Sequence, residues 1–304
     1  MPYNNWNGLQ IVTPPAQALV SVEDAKAHMR VFSGPDDALV AGYIGAATRI
    51  CEEQTRRAFM PQTWRLSLNQ FPGRTPLAGY QASSNPAHWL KYRFFEIPKP
   101  PLQSIASFYY YDTNNNQYAM QVGYDNSAGN YYLNTDAEPG RVELPFAGVW
   151  PTTVLLPADG ILVTFTCGYA AYSLTVNVDV NGVATLPATS PPGVFDANLF
   201  GTWVTLSAMV GSPPSTQTVS CAVASVAGAS LQLIPPSPNP LTFPLTGATL
   251  TGNCVPMPLR SAVLFLAAHL YENREPVVTG RGEVAVEIPF TVDTMLNQYK
   301  IYGT

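Results

Sequence analysis

The stretch from Ala171 to Cys254 constrains the fold most, because it contains no lysine or arginine and only two charged residues, Asp179 and Asp196. A segment that uncharged cannot form solvated helices laced with ion pairs. Its Thr, Val, Ser and Ala content and its proline clusters ("PATSPPG", "SPPS", "IPPSPNP") favour short strands and turns. "SLTVNVDVNGVATL" alternates Leu174, Val176, Val178 and Val180 before Asn181-Gly182, which predicts a hairpin with a two-residue type I′ turn. "TWVTLSAMV", "TVSCAVASV", "ASLQLI" and "ATLTG" supply further strands at the spacing of a small sandwich or barrel. The segment reads as an all-β module, residues 171–254, inserted into another fold made of residues 1–170 and 255–304.

The flanking sequence has different periods. In "SVEDAKAHMRV", Ser21 is placed to cap a helix whose third position is Asp24, ending near Arg30. "SGPDDALV" starts a second helix with Asp36 and Asp37 in its first turn, where the dipole favours negative charge. Leu39, Tyr43, Ala46 and Ile50 recur at helical spacing and predict its core face, while Arg56 and Arg57 suit its C-terminal end. The period then becomes two. Trp64, Leu66 and Leu68 alternate with Arg65, Ser67 and Asn69 in "TWRLSLNQF", a half-buried strand. "RFFEIPKPPLQSIASFYYYD" gives a strand, a proline break and another strand, and "TNNNQ" turns the chain into "YAMQ". "NYYLNTD", "GRVELP" and "ILVTFTCGY" add strands, and Pro72 to Ala87 reads as a loop or flap.

After the uncharged segment, "VPMPLRSAVLFLAAHLYENRE" is a helix apolar on two sides: Leu259, Val263, Leu266 and Leu270 on one, Leu264, Ala267 and Tyr271 on another. Such a helix packs between two layers or against a neighbouring subunit. A hairpin is expected over "VVTGRGEVAVEIP", and "TVDTMLNQYKIYGT" closes the chain as a short helix. The fold class is α+β: a small helical bundle with an attached antiparallel β region, plus the all-β sandwich or barrel.

Candidate chemistry is sparse. His269 and Glu272 share a helix face, but HxxE lacks the further ligands of a zinc site, and His28 and His88 have no ligand cluster beside them. There is no nucleophile elbow, phosphate-cradling loop or dinucleotide fingerprint. No catalytic, metal or cofactor residues are assigned and no cofactor is expected. Cys51, Cys167, Cys221 and Cys254 form no CxxC pair and are expected as free thiols. No secretory signal is visible, and the apolar run Ala262 to Leu270 is too short to cross a bilayer, so a soluble chain without a membrane partner is expected. Only 12% of residues are charged and the formal net charge is −5, so no basic face for gripping DNA is indicated. The 16 tyrosines and 13 phenylalanines, with so few charges, suit extensive protein interface.

The ordered set "SVEDAKAHMRV", "DDALVAGYIGAATRICEEQTRRAFMPQTWRL", "IPKPPLQSI", "VTFTCGY", "VPMPLRSAVLFLAAHLYENRE" and "IPFTVDTMLNQYK" resembles the head–tail connector (adaptor, or head-completion) proteins of tailed bacteriophages. The resemblance covers about Leu19–Tyr169 and Val255–Lys300; "LAAHLYENRE" followed by "VDTMLNQY" carries most of it. It implies a non-enzymatic structural virion protein at the head–tail junction, assembled in the host bacterial cytoplasm. It further implies a ring, commonly of twelve copies, under the portal, which extends the DNA channel without sequence-specific binding and presents a surface to a tail-completion or stopper protein. The 171–254 module departs from that pattern and is a candidate contact to capsid protein. Val292, Met295, Leu296 and Tyr299 would then dock onto the portal or a neighbouring subunit, and Leu264, Tyr271, Glu272, Arg274 and Glu275 would contact an adjacent copy. Deleting residues 291–304 is expected to leave a folded chain that fails to join heads. The alternative is a surface or secreted β-rich protein that binds carbohydrate or protein through aromatic residues such as Tyr109 and Trp203.

Overall fold

The structure, a computed structural model, describes residues 6–31, 34–72, 93–123, 125, 129–145, 148–186, 203–210, 215–228, 230–235, 241–273 and 290–302. The flap (beyond Pro72), the "TGRGE" hairpin, Arg274 and Glu275 lie outside these residues. The chain divides into two compact units, one of Met1–Gln17, Glu52–Gly168 and Asn297–Thr304, the other of Ala18–Cys51 and Tyr169–Leu296.

The first unit is built on strands. One five-stranded antiparallel sheet has the order β1 (Trp6–Thr13), β2 (Gln62–Leu68), β9 (Ile161–Cys167), β4 (Leu102–Tyr111), β5 (Gln117–Ala119). A second sheet orders β3 (Phe94–Ile97), β8 (Gly140–Glu143), β7 (Asn130–Asn134) and β6 (Gln121–Val122). The alternation read in "TWRLSL" is realised: Trp64, Leu66 and Leu68 are buried and lie opposite Phe165, Val163 and Ile161 of β9. Such directly opposed apolar pairs are the unit of sheet stabilisation. Phe71 stacks on Trp150 at 5.1 Å and meets Tyr110 edge-on, filling the same core. The "TNNN" turn forms as expected, with Asp112 Oδ1 accepting the backbone N–H of Asn114 and of Asn116, each at 2.9 Å. Gly168 has φ 106°, and a Cβ there would stand 2.2 Å from the Met60 carbonyl oxygen, so only glycine fits that approach.

In the second unit, α1 (Val22–Met29) is capped as the sequence indicates: Ser21 Oγ accepts from Asp24 N at 3.0 Å, and Arg30 ends the helix in the left-handed conformation. In α2 (Asp37–Thr55) the core face differs from the expected one. Val40, Ile44, Ala47 and Cys51 are buried, whereas Leu39 and Ala46 are exposed and Tyr43 and Ile50 half-buried. Both stripes are apolar and lie one residue, about 100° of helix rotation, apart. Periodicity alone does not choose between them. Arg56 and Arg57 lie just beyond the helix end, their backbone N–H groups donating to the Glu53 and Glu52 carbonyls at 3.3 and 3.2 Å. The helix stops at Thr55, and Arg56 already has φ 58°. Helix α3 (Met257–Glu272) buries Leu259, Ala262, Val263, Leu266 and Ala267, while Leu264 and Leu270 are half-buried. It packs on α1, where the buried Arg260 forms an ion pair with the half-buried Asp24 at 2.7 Å. Helix α4 (Phe290–Asn297) is the expected closing helix.

The uncharged segment is a closed six-stranded barrel in the order β10 (Ala171–Val178), β11 (Val183–Thr185), β14 (Ser230–Ile234), β13 (Ser215–Ala227), β12 (Trp203–Val210), β15 (Leu245–Asn253). Its interior is filled by Val176, Val178, Leu206, Val223, Leu231 and Leu250, among others, so it is a packed core. Closure comes from β15 pairing with β10, which sets Ala171 opposite Asn253. The first hairpin is not the two-residue type I′ turn. Gly182 N bonds Asp179 O at 3.1 Å and Asp179 N bonds Val183 O at 3.0 Å, leaving a three-residue loop with only Gly182 at positive φ. Asp179 decides the outcome, since its Oδ1 accepts from Asn181 N and Val183 N at 2.8 Å each and so builds an Asx-type turn. Val180, read as part of the alternation, is exposed at the loop tip.

Candidate functional site

No catalytic constellation is assembled among the described residues, and they contain no group of three or more His, Cys, Asp or Glu placed to hold a metal ion. Two of the polar assemblies among the described residues bear on the positions singled out in the sequence, one in each unit.

The first lies beyond the end of α2. Arg57 is buried, and its Nε donates to the Tyr299 carbonyl at 2.5 Å while Nη2 pairs with Glu138 Oε2 at 2.6 Å. The Ile301 N–H donates to the Thr55 carbonyl at 3.1 Å. These bonds clasp the C-terminal residues to the chain's own body. The hydrogen bond from Arg57 holds the Glu138 carboxyl below its ordinary range, and burial pushes the Tyr299 hydroxyl up. Beside it, Glu52 is buried and accepts from Phe59 N at 2.8 Å and Gln62 Nε2 at 2.9 Å, which ties the helix end to the start of β2. Cys167 stands nearby, its thiol pushed up to about 12, first by burial and second by the Glu52 charge. A thiol held protonated in this way is a core group, not a nucleophile.

The second assembly lies between α1 and α3. A cleft of about 480 Å³ is lined by His28, Arg30, Phe265, His269, Glu272 and Thr291, among others. His28 meets Phe265 edge-on at 5.2 Å. His269 lies in the last turn of α3, its carbonyl accepting from Asn273 N at 3.0 Å and Asn273 Nδ2 at 2.9 Å. The HxxE pair therefore sits at a helix end over an open cleft.

The sequence-selected contact residues divide. Tyr271 donates to Asp36 Oδ2 at 2.7 Å and stands edge-on to Tyr43, so it binds α3 to the start of α2 within the chain. Asp37, read only as a dipole partner, also pairs with Lys26 at 2.6 Å. Leu264 is half-buried and Glu272 exposed. In the tail, Val292 and Leu296 are buried in the chain itself, and Met295 and Tyr299 are half-buried. The helical spacing that marked them as a stripe is real, but the stripe faces inward. Sequence reasoning passed over Arg57 because a basic residue after a helix already has a sufficient local explanation. The tyrosine run is also used internally, with Tyr110 stacked on Tyr118 at 5.0 Å. Tyr109 is half-buried in β4, and the side chain of Trp203 lies outside the described residues.

No family model matches the sequence, and no curated protein matches it. Among solved structures, the chain is similar to one in the neck of an empty GTA particle computed with C6 symmetry, at TM-score 0.51 and 15% identity over 98% of this chain and 97% of that one. Chains in a native gene transfer agent virion and in a native GTA neck computed with C12 symmetry are looser matches, at TM-scores 0.49 and 0.45 and 15% identity. The first likeness shows a shared fold. Because it spans nearly all of both chains, the shared extent includes the segment that forms the barrel.

Proposed function

We propose that this chain is a structural subunit of the neck of a phage-like particle, a head–tail connector whose copies form a ring beneath the portal. The observation that carries this reading is the fold shared over the whole chain with a neck protein of a gene transfer agent particle. Twelve copies, extension of the DNA channel and attachment of a tail-completion or stopper protein belong to the same reading. Scarce charge supports it, since interface cores lose charge, and a net charge of −5 suits a channel wall along which DNA slides without adhering. Residues 171–254 act in it as a module inserted into a connector core of 1–170 and 255–304, turned toward capsid or tail. The backbone supports such an insertion, because Cys254 N bonds Ala170 O at 2.9 Å and brings the two ends of the module together. Phe265, Leu264 and Glu272 are the helix residues offered to a neighbouring copy, and Met295, Tyr299 and the exposed Tyr302 are the tail's docking surface. The test is the mass of the purified chain, alone and mixed with the portal protein of the same particle. A closed ring joined to portal is expected, and a persistent monomer that ignores portal refutes the proposal.

A further inference from the structure

The barrel has no edges, but the five-stranded sheet has two. Among the described residues no strand pairs with the outer side of β1 or of β5, the first and last strands of that sheet. Exposed edges are ready templates for another strand, and proteins usually guard them with charge, proline or short length. Strand β1 is eight residues long, contains no proline, and lies in a stretch with no charged side chain before Glu23; two bulges are its sole irregularity. Its residues Ile11 and Val12 are 38% and 44% exposed although they point to opposite faces. Strand β5, "QYA", is short but also uncharged, with all three residues exposed, and large apolar side chains sit at that end too: Tyr118 is 40% and Val122 53% exposed.

We propose that copies of this chain join edge to edge through this sheet, β1 of one copy lying along β5 of the next. The inference rests on the ring reading above and deepens it by naming the contact. Direction supports it. All four pairings within the sheet are antiparallel, so β1 and β5 run the same way. In a ring whose axis lies near the strand direction, rotation from copy to copy keeps that direction, so β5 meets the next copy's β1 as a parallel pair, which is a regular ladder geometry. The two edges are different surfaces, so the contact is heterologous, the kind that closes into rings. With neither edge charged, backbone pairing and the apolar side chains at each end drive association, and copies of an acidic chain meet where they repel least.

The test uses the full chain with Val12→Lys on one edge and Ala119→Lys on the other, both exposed positions, so the thermal melt of each monomer is expected to match the wild type and is checked first. Each variant alone is expected to remain monomeric by native mass measurement where the wild type assembles. An equimolar mixture of the two is expected to give dimers and nothing larger, since each retains one intact edge. Wild-type assembly by both variants overturns the edge contact and leaves the ring reading standing. A wild type that forms open chains abolished by Val12→Lys retains the edge contact and removes the closed ring. Slowed exchange of the β1 amides only after portal is added, and not on self-association, assigns the edge to portal and overturns the second copy as occupant. A wild-type chain that stays monomeric with or without portal overturns both.

Discussion

Replacing Arg57 by alanine tests the idea that one buried guanidinium fastens the C-terminal residues. The substitution removes three things. The ion pair with Glu138 is worth about 1 kcal/mol or less, because that carboxylate is 45% exposed and screened by solvent. The charged hydrogen bond to the Tyr299 carbonyl contributes about 2 kcal/mol, since a cationic donor at 2.5 Å is lost and its acceptor left unpaired. The packed aliphatic stem adds about 1 kcal/mol. The expected loss is about 3–4 kcal/mol, or roughly 6–16 °C in Tm at the scale of a domain this size. Glu138→Gln keeps shape and a neutral hydrogen bond, so it should cost less than about 1 kcal/mol. Because the Glu138 carboxyl is depressed in the folded chain, its share of stability is complete above the ordinary carboxylate range and is lost as pH falls through the depressed value. That acid-side loss should vanish in both variants. Urea denaturation measures the free energies, and hydrogen exchange at the Ile301 amide reports release of the tail. A cost below about 1 kcal/mol for Arg57→Ala, or an equal cost for Glu138→Gln, refutes the clasp.

Three further outcomes follow from the barrel. Leu231→Ala removes a fully buried side chain from its interior and should cost about 2–5 kcal/mol by urea titration, without altering the far-ultraviolet spectrum. Gly182→Ala should cost more than about 1 kcal/mol, because φ is 79° there and a Cβ would lie 2.9 Å from the Leu233 carbonyl oxygen. Excising residues 171–253 and joining Ala170 to Cys254 should leave a chain that still unfolds cooperatively, since those residues are already hydrogen-bonded neighbours; loss of cooperative melting would show the barrel to be integral.

The sequence was informative wherever local pattern and local chemistry coincided. Strand β2 alternates in the chain as it does in the sheet, and Ser21 caps α1 because its hydroxyl needs only a backbone N–H three residues on. It misled where two local solutions were equally good. Helix α2 has apolar residues on adjacent faces, and tertiary contacts bury Val40, Ile44, Ala47 and Cys51 instead of Leu39, Tyr43, Ala46 and Ile50. Asn181-Gly182 is a strong two-residue turn signal, but the Asp179 carboxylate organises a longer loop around it. Long-range relations left no local mark. Arg57 reaches a carbonyl 242 residues away, and the tail stripe faces inward because its partners lie elsewhere in the chain. Barrel closure is of the same kind, for β10 and β15 come from opposite ends of the segment.

The same closure bears on how copies of this chain can meet. In a closed barrel every strand has a ladder neighbour on each side, so a partner is met chiefly through side chains. Those side chains carry almost no charge, which leaves the barrel little means of attracting or selecting by electrostatics. The open sheet is the opposite case, with no ladder neighbour beyond its two edge strands among the described residues and apolar side chains exposed beside each. If one chain must supply both a repeated contact to itself and a contact to something different, the edges suit the first, since a ladder repeats identically from copy to copy. The barrel suits the second, as a rigid body whose ends are tied at Ala170 and Cys254 and whose outer surface can vary without disturbing the ladder.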